Sequence, residues 1–314
     1  MTSPLFHVSL GSLDDVAPGD RFALEGAEGH HAAKVMRLGP GEHVLLSDTG
    51  TRRARAVVLG PAGSGSVPSG ATGSRSPKDG GAGARSGTAG RGSAREPAAL
   101  ELELIDVLDD AAQLPRLVLV QALAKDKRDL QAVESATELG VDAVIPWQAE
   151  RCVVRWKPSA AARKHEEWTS LVAAASKQSR RTSVPQVRSL QSTEEYAACL
   201  REHADVAVLV LDESGAKPIS SAVAELGLSH GGDPGGTSGP EPGADIAELH
   251  LVVGPEGGIS ATELAALAGP QSLAARLGPT VLRASSAGAA ALTAVNVLLG
   301  RWDGPSRDEN QRVE

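Results

Sequence analysis

From Arg116 onward, short runs of consecutive apolar residues alternate with longer amphipathic ones. The runs RLVLVQAL from Arg116, VDAVIPW from Val141, DVAVLVLDE from Asp205 and LHLVVG from Leu249 read as strands. Between them lie KRDLQAVESATELG from Lys127, a predicted helix capped by Gly140, and the longer helical stretch SAAARKHEEWTSLVAAASKQS from Ser159. Ser260, with Glu263 three residues on, predicts a capping box and a further helix. AARLG from Ala274 is the expected last strand, and SSAGAAALTAVNVLLGRW from Ser285 the last helix. This alternation predicts an α/β domain, a mostly parallel sheet with helices on both faces.

Upstream the pattern is different. RFALEG from Arg21, HVLLSDTG from His43, RARAVVLG from Arg53 and the alternating LELELIDV from Leu100 predict a small β domain over residues 1–110. The α/β domain then occupies 111–304, and 305–314 is an expected disordered tail. Residues 61–97 hold a single large aliphatic side chain, Val67, and residues 229–246 have a similar Gly/Ser/Pro-rich character. Such segments bury too little apolar area to offset the entropy of ordering them, so both are expected to be flexible insertions. The first reads as a swollen hairpin loop between two strands of the small domain.

The chain's 314 residues suffice for two domains, and 41% hydrophobic residues suffice for a core. With 2% aromatics, that core is expected to be Ala, Val and Leu. A net charge of −8 argues against indiscriminate coating of nucleic acid while leaving room for a local basic face. Cys152 and Cys199 form no CxxC and no cluster with histidine, so no disulfide framework and no metal site are expected, only buried thiols in a reducing compartment. The N-terminus lacks the pattern of a signal peptide, and no stretch approaches the roughly 18 apolar residues of a membrane span. The expectation is a soluble, cytoplasmic protein.

At the end of LHLVVG the chain turns through Gly254, Pro255, Glu256, Gly257 and Gly258. In parallel α/β sheets ligands bind beyond the carboxyl ends of strands, and glycines admit a ligand close to the backbone. A tight strand-to-helix turn without a ligand explains the glycines equally well. A second segment, LGPTVLRASSAG from Leu277, repeats the logic with Gly278-Pro279, a short apolar run and Arg283 before a helix. Neither segment is GxGxxG or a P-loop, so a dinucleotide fold and a Walker site are not supported.

VVGPEGGIS followed by LGPTVLR resembles the C-terminal signature of the bacterial 16S rRNA (uracil-N(3)-)-methyltransferase family, knotted enzymes of the SPOUT superfamily. ATELGVDAVIPWQAERCVVRW from Ala136 and AAASKQSRRTSVPQV from Ala173 extend the resemblance upstream. HHAAKVMRLGPGEHVLLSDTG from His30 is similar to the family's small PUA-like RNA-binding β-barrel. The resemblance implies a deep trefoil knot, a homodimer packed through the last helix, and S-adenosylmethionine as cofactor. It also implies methylation of ring nitrogen 3 of a uridine in 16S rRNA, within the 30S subunit, without a metal. On this reading Leu211, Gly254, Pro255, Glu256, Gly257, Gly258, Leu277, Gly278, Pro279, Val281, Leu282 and Arg283 surround the cofactor. Arg283 is also the candidate to stabilise negative charge on the uracil, or else a structural arginine bonding loop carbonyls. Many family members read Thr-Glu-Thr after this arginine, whereas this chain has Ala284, Ser285 and Ser286, so no acid stands there and the proton acceptor is not identified.

Between Glu150 and Arg188 nine Lys/Arg stand against three acids, a local excess of the kind that attracts phosphates, or else a solvated helix face. Arg151, Arg155, Lys177, Arg180 and Arg181 are the candidates there, with Lys125, Lys127 and Arg128 after the first strand of the α/β domain and Lys34 and Arg37 in the small one. His30 and His31 read as surface residues. Two rival readings share the fold: a non-catalytic RNA-binding or ribosome-assembly factor, and a methyltransferase of another RNA such as tRNA.

Overall fold

A computed structural model describes residues 3–62, 99–109, 113–213, 217–228 and 246–303. Most of the two insertions and all of the tail expected from the sequence lie outside them. The chain separates into two compact units, Met1–Asp110 and Ala111–Glu314.

The first unit contains β1 (Leu5–His7), β2 (Arg21–Leu24), α1 (Gly26–His30), a π-helical turn over His31–Val35, β3 (His43–Ser47), β4 (Arg52–Pro61) and β5 (Leu100–Asp109). The strands form one sheet in the order β1-β3-β4-β5-β2. β4 alternates buried with less buried residues, and Ala54, Ala56 and Val58 point inward. Phe6 of β1 and Leu24 of β2, at opposite edges of the sheet, join the same buried cluster, so the sheet curls around a single core. β4 and β5 pair antiparallel out to Pro61 opposite Leu100, and Ala62 N–H donates to the Ala99 carbonyl at 2.9 Å. Pro61 thus ends a strand. His30 and His31 are exposed as expected, although they lie on helical turns that the sequence reading did not anticipate.

The second unit runs β6 (Arg116–Ala122), α2 (Arg128–Glu138), β7 (Ala143–Gln148), α3 (Pro158–Gln178), β8 (Gln186–Val187), β9 (Gln191–Ser192), α4 (Thr193–Glu202), β10 (Val206–Leu211), β11 (Lys217–Pro218), α5 (Ile219–Glu225), β12 (Glu248–Val253), α6 (Ala261–Ala266), β13 (Ser272–Arg276) and α7 (Ala284–Leu298). Its sheet has the order β11-β13-β10-β12-β6-β7-β8, with β9 also paired to β7, and every ladder is parallel. β6, β10 and β12 are buried along nearly their whole length, as strands covered on both faces must be. α4 was missed, although Ser192 and Glu195 spell the same S-x-x-E start that marked α6, and both capping boxes form.

The core is largely Ala, Val and Leu, but the few aromatics are not peripheral: Trp147, Trp168 and Tyr196 are among its largest fully buried side chains. Cys152 is buried, whereas Cys199 is only partly so. α7 packs inside its own chain. A Cβ on Gly288 would lie 2.9 Å from Leu119 of β6 and 3.6 Å from Val253 of β12, so the helix can approach the sheet this closely only with glycine there.

Candidate active site

The register brings the loops together. Ala275 pairs with Leu211, Leu211 with Val253, Val253 with Gln121, and Gln121 with Pro146. These five residues form one row across the carboxyl edge of the sheet. The turn starting at Gly254 and the turn starting at Leu277 leave that row on either side of β10. At ~4.8 Å per strand they begin about 10 Å apart. A Cβ on Gly288, one turn into α7, would lie 3.6 Å from Val253, so the second turn leads the chain back onto the end of β12.

A cleft opens where β10, β13 and the start of α7 meet. It is open to solvent and is lined by Leu211, Asp212, Glu213, Ala275, Arg276, Leu277, Gly278, Thr280, Val281, Leu282 and Ala287. Five of the expected cofactor residues are in this lining: Leu211, Leu277, Gly278, Val281 and Leu282. Val281 is 75% exposed, an apolar side chain held in solvent at the mouth. A Cβ on Gly278 would meet no protein atom within 4 Å, leaving that space to a ligand. Arg283 is exposed and occupies the N-cap of α7, its carbonyl accepting from Ser286 and Ala287 N–H. Among the groups suited to S-adenosylmethionine are the carboxylates of Asp212 and Glu213 for its positive charges, the aliphatic wall for its adenine, and the positive end of α7 for its carboxylate.

The loop holding Gly254, Pro255, Glu256, Gly257 and Gly258 does not line this cleft. It is the junction of the two neighbouring basic loops. Glu256 turns toward the loop after β6, where its Oε1 accepts from Lys125 N–H at 3.4 Å and lies 3.5 Å from Arg128 Nη1. Arg151, from the loop after β7, donates Nη1 to the Gly257 carbonyl at 3.0 Å. The glycines follow from this packing. A Cβ on Gly257 would stand 3.1 Å from Arg151 Cβ, and one on Gly254 only 2.6 Å from Ile259 Cγ1. Gly258 has φ +72°, a conformation that costs a side-chain-bearing residue free energy.

Glu263 completes the junction. It is 3% exposed, and its carboxylate accepts from Glu150 N–H at 2.8 Å, Thr193 Oγ1 at 2.8 Å and Ser260 N–H at 3.0 Å. Burial opposes its charge, but the backbone donors of Glu150 and Ser260 and the Thr193 hydroxyl outweigh burial and hold its pKa below the ordinary value. Ser260 Oγ in turn donates to Glu150 Oε2 at 2.6 Å. The loop after β7 is braced further: Trp156 N–H donates to Gln148 Oε1 at 3.0 Å, and its ring meets Trp168 of α3 edge-on with centroids 5.6 Å apart. Another carboxylate the sequence reading passed over, Asp129, is buried at the start of α2, and burial raises its pKa.

The basic residues divide. Lys125, Lys127, Arg151 and Arg155 are exposed on the loops after β6 and β7, at the carboxyl edge, with half-buried Arg128 beside them. Lys177 and Arg180 are exposed at the far end of α3. That helix has 21 residues and so spans ~31 Å, which carries them to the opposite edge of the sheet. Arg181 corrects the sequence reading. It is buried and donates Nη1 to the Thr137 carbonyl at the end of α2, at 2.7 Å, so it serves the fold and is not available to RNA. In the first unit Lys34 and Arg37 are exposed at the end of the π-helical turn, Arg37 with φ 56°.

Among the described residues no group of His, Cys, Asp and Glu is arranged to hold a metal ion, and no helix is long and apolar enough to cross a membrane.

Comparison with known proteins matches the architecture. Residues 112–296 fit the model of an RNA methyltransferase domain, and residues 24–67 that of an RNA methyltransferase PUA domain. The chain is 36% identical to the ribosomal RNA small subunit methyltransferase E of Mycobacterium bovis, over 98% of its own length and 97% of that protein's. The structure of a ribosomal RNA small subunit methyltransferase E from Neisseria gonorrhoeae bound to S-adenosyl methionine is similar in fold, with a TM-score of 0.62 at 20% identity, covering 95% of this chain and 98% of that one. A Legionella pneumophila methyltransferase structure with bound cofactor is similar at a TM-score of 0.61 and 20% identity, covering 95% and 98%. The chain belongs to the RNA methyltransferase family, as an α/β enzyme preceded by a PUA domain.

Proposed function

We propose that this protein transfers a methyl group from S-adenosylmethionine to ring nitrogen 3 of a uridine in 16S ribosomal RNA, with the 30S subunit as substrate. The observation that carries the reading is the cleft at Ala275 and Leu211, walled by the Gly278-Pro279 turn, with the Gly254-Pro255 turn and the basic loops farther along the same edge of the sheet. The cofactor, when bound, supplies an electrophilic methyl group. Leu211, Leu277, Gly278, Val281 and Leu282 are its wall on this reading, with Pro279 in the same turn. Gly254, Pro255, Gly257 and Gly258 hold the neighbouring turn in shape, and Glu256 anchors it to Lys125 and Arg128.

The target nitrogen must be aligned with the methyl–sulfur axis and must shed its proton, so the base must be unpaired or flipped out. Arg283, exposed beside the cleft, is suited to stabilise negative charge gathering on a uracil carbonyl oxygen. Lys125, Lys127, Arg128, Arg151 and Arg155 are suited to phosphates, as are Lys34 and Arg37 of the PUA domain. The reading includes a trefoil knot, which the packing of α7 against β6 and β12 allows. It includes a homodimer, for which Val297 and Trp302 offer exposed apolar surface at the end of α7. It also includes a cytoplasmic location, where ribosomes are assembled.

Mass spectrometry of 16S rRNA from a deletion strain tests the assignment. N(3)-methyluridine is expected to vanish and to return with the wild-type gene, and its persistence would refute the reading. Calorimetry with S-adenosylmethionine separates an enzyme from a pure RNA-binding factor, which would give no heat.

A further inference from the structure

We propose that Glu263 is a positioning residue that clasps the glycine-rich turn of β12, one strand over from the cofactor cleft through the Val253–Leu211 pair, to the basic loop of β7, so that cofactor grip and RNA docking are set together. The inference rests on the methyltransferase reading and goes beyond it to a residue outside both binding sets. A helix cap needs one carboxylate oxygen, and Glu263 Oε2 fills that need on Ser260 N–H at 3.0 Å. Oε1 does something a cap does not require. It accepts from Glu150 N–H and from Thr193 Oγ1, groups on two other segments, both at 2.8 Å.

The reciprocal bond from Ser260 Oγ to Glu150 Oε2, at 2.6 Å, ties the same two loops a second time. The Arg151 bond to the Gly257 carbonyl ties them a third time, farther along both. Arg151 and Arg155 stand within five residues of Glu150, and Gly254 to Gly258 directly precede Ser260. A carboxylate fixed by three donors in a buried site has little freedom to shift, so displacing either loop means breaking charge-assisted bonds that water cannot replace. Thr193 is anchored in turn by Trp147 Nε1 at 3.1 Å, which fixes the clasp to the core.

The test uses full-length E263A and E263Q, with S192A as baseline. Ser192 caps α4 through an equivalent box next to Thr193, so its loss reports the effect of a missing cap, with the Glu263 bonds to Glu150 and Ser260 left in place. E263A is expected to raise the cofactor Kd and the KM for 30S subunits together, each about tenfold, the size of losing a charge-assisted hydrogen bond. Its kcat at saturation should stay within roughly threefold. E263Q keeps one acceptor oxygen and should fall between E263A and wild type. It carries the test if E263A fails to fold. Hydrogen exchange should quicken in residues 150–157 and 254–259 of both variants but not of S192A. A fall in melting temperature with both constants at wild-type values, or movement of only one constant, would overturn the proposal. Failure of the wild-type protein to bind cofactor would sink the methyltransferase reading instead, and exchange in the two loops would still decide whether the clasp exists.

Discussion

The two edges of the parallel sheet handle charge in opposite ways. At the carboxyl edge the cations stay largely exposed: Lys125, Lys127, Arg151 and Arg155 reach solvent on the loops after β6 and β7, along the same edge as a cleft whose walls are partly bare aliphatic residues. At the amino edge, beside exposed Lys177 and Arg180, the charge at the start of β12 is drawn inward and satisfied. Glu248, the first residue of β12, accepts from Arg188 Nη1 at 2.9 Å and from His250 Nε2 at 2.9 Å, and lies 3.8 Å from Arg116. Buried His250 takes the Tyr196 hydroxyl on Nδ1 at 2.8 Å. Burial lowers the His250 pKa, so the ring is neutral, with the proton on Nε2 facing Glu248 and the lone pair on Nδ1 facing Tyr196. Burial opposes the charge of Glu248, but the bonds from His250 and Arg188 prevail and bring its pKa down to about 2. One edge is finished as structure, and the other is left open for something that arrives.

If that division is real, the largest effect should come from breaking the finished edge. E248A leaves Arg188 and His250 facing a hole and is expected to cost about 3–5 kcal/mol of stability. Its kcat, measured well below the melting temperature, should remain that of wild type. A loss of turnover without loss of stability would show that the edges are not separate. R283A is the reverse experiment. It should lower kcat by ~10²-fold and leave the melting temperature nearly unchanged, because the side chain is exposed.

A smaller contrast concerns RNA. Neutralising Lys125, Lys127 and Arg155 together should weaken RNA binding and flatten its salt dependence by roughly one unit of slope per residue. Neutralising Lys177 and Arg180, ~30 Å away along α3, should change neither appreciably. Equal losses from both sets would mean that the RNA wraps the whole domain.

The last contrast is that of pH. Glu248 and His250 both have folded-state pKa values below their ordinary ones, so the unfolded chain binds protons more readily. Their contribution is fully present above about pH 6.5 and should be lost as the pH falls, first through the histidine and then, between 4.5 and about 2, through the glutamate. Melting curves of wild type and E248A should therefore converge in acid. Parallel curves down to pH 3 would refute the assignment.

Much of this was legible before any coordinates. The strands of the parallel sheet show as unbroken apolar runs because both of their faces are covered, and the turn at Gly254 shows because a side chain there would collide with Ile259. The helix at Thr193 was equally legible in Ser192 and Glu195 but went unread. The short strands β8, β9 and β11 carry no pattern of their own: two residues pair where a neighbouring strand offers an edge.

The sequence alone determined what depends on near neighbours along the chain: which segments extend, which coil, where glycine is obligatory, and that a basic stretch exists. Only the tertiary structure decided what depends on distance in space. It split that stretch over the length of α3 and buried Arg181 against a carbonyl 44 residues away. It turned Glu256 toward a loop 131 residues distant and gave Glu263 a partner 113 residues away. A side chain's charge is written in its covalent structure, but whether that charge meets solvent, a carbonyl or another loop is set by packing, and packing joins residues that the order of the chain keeps apart.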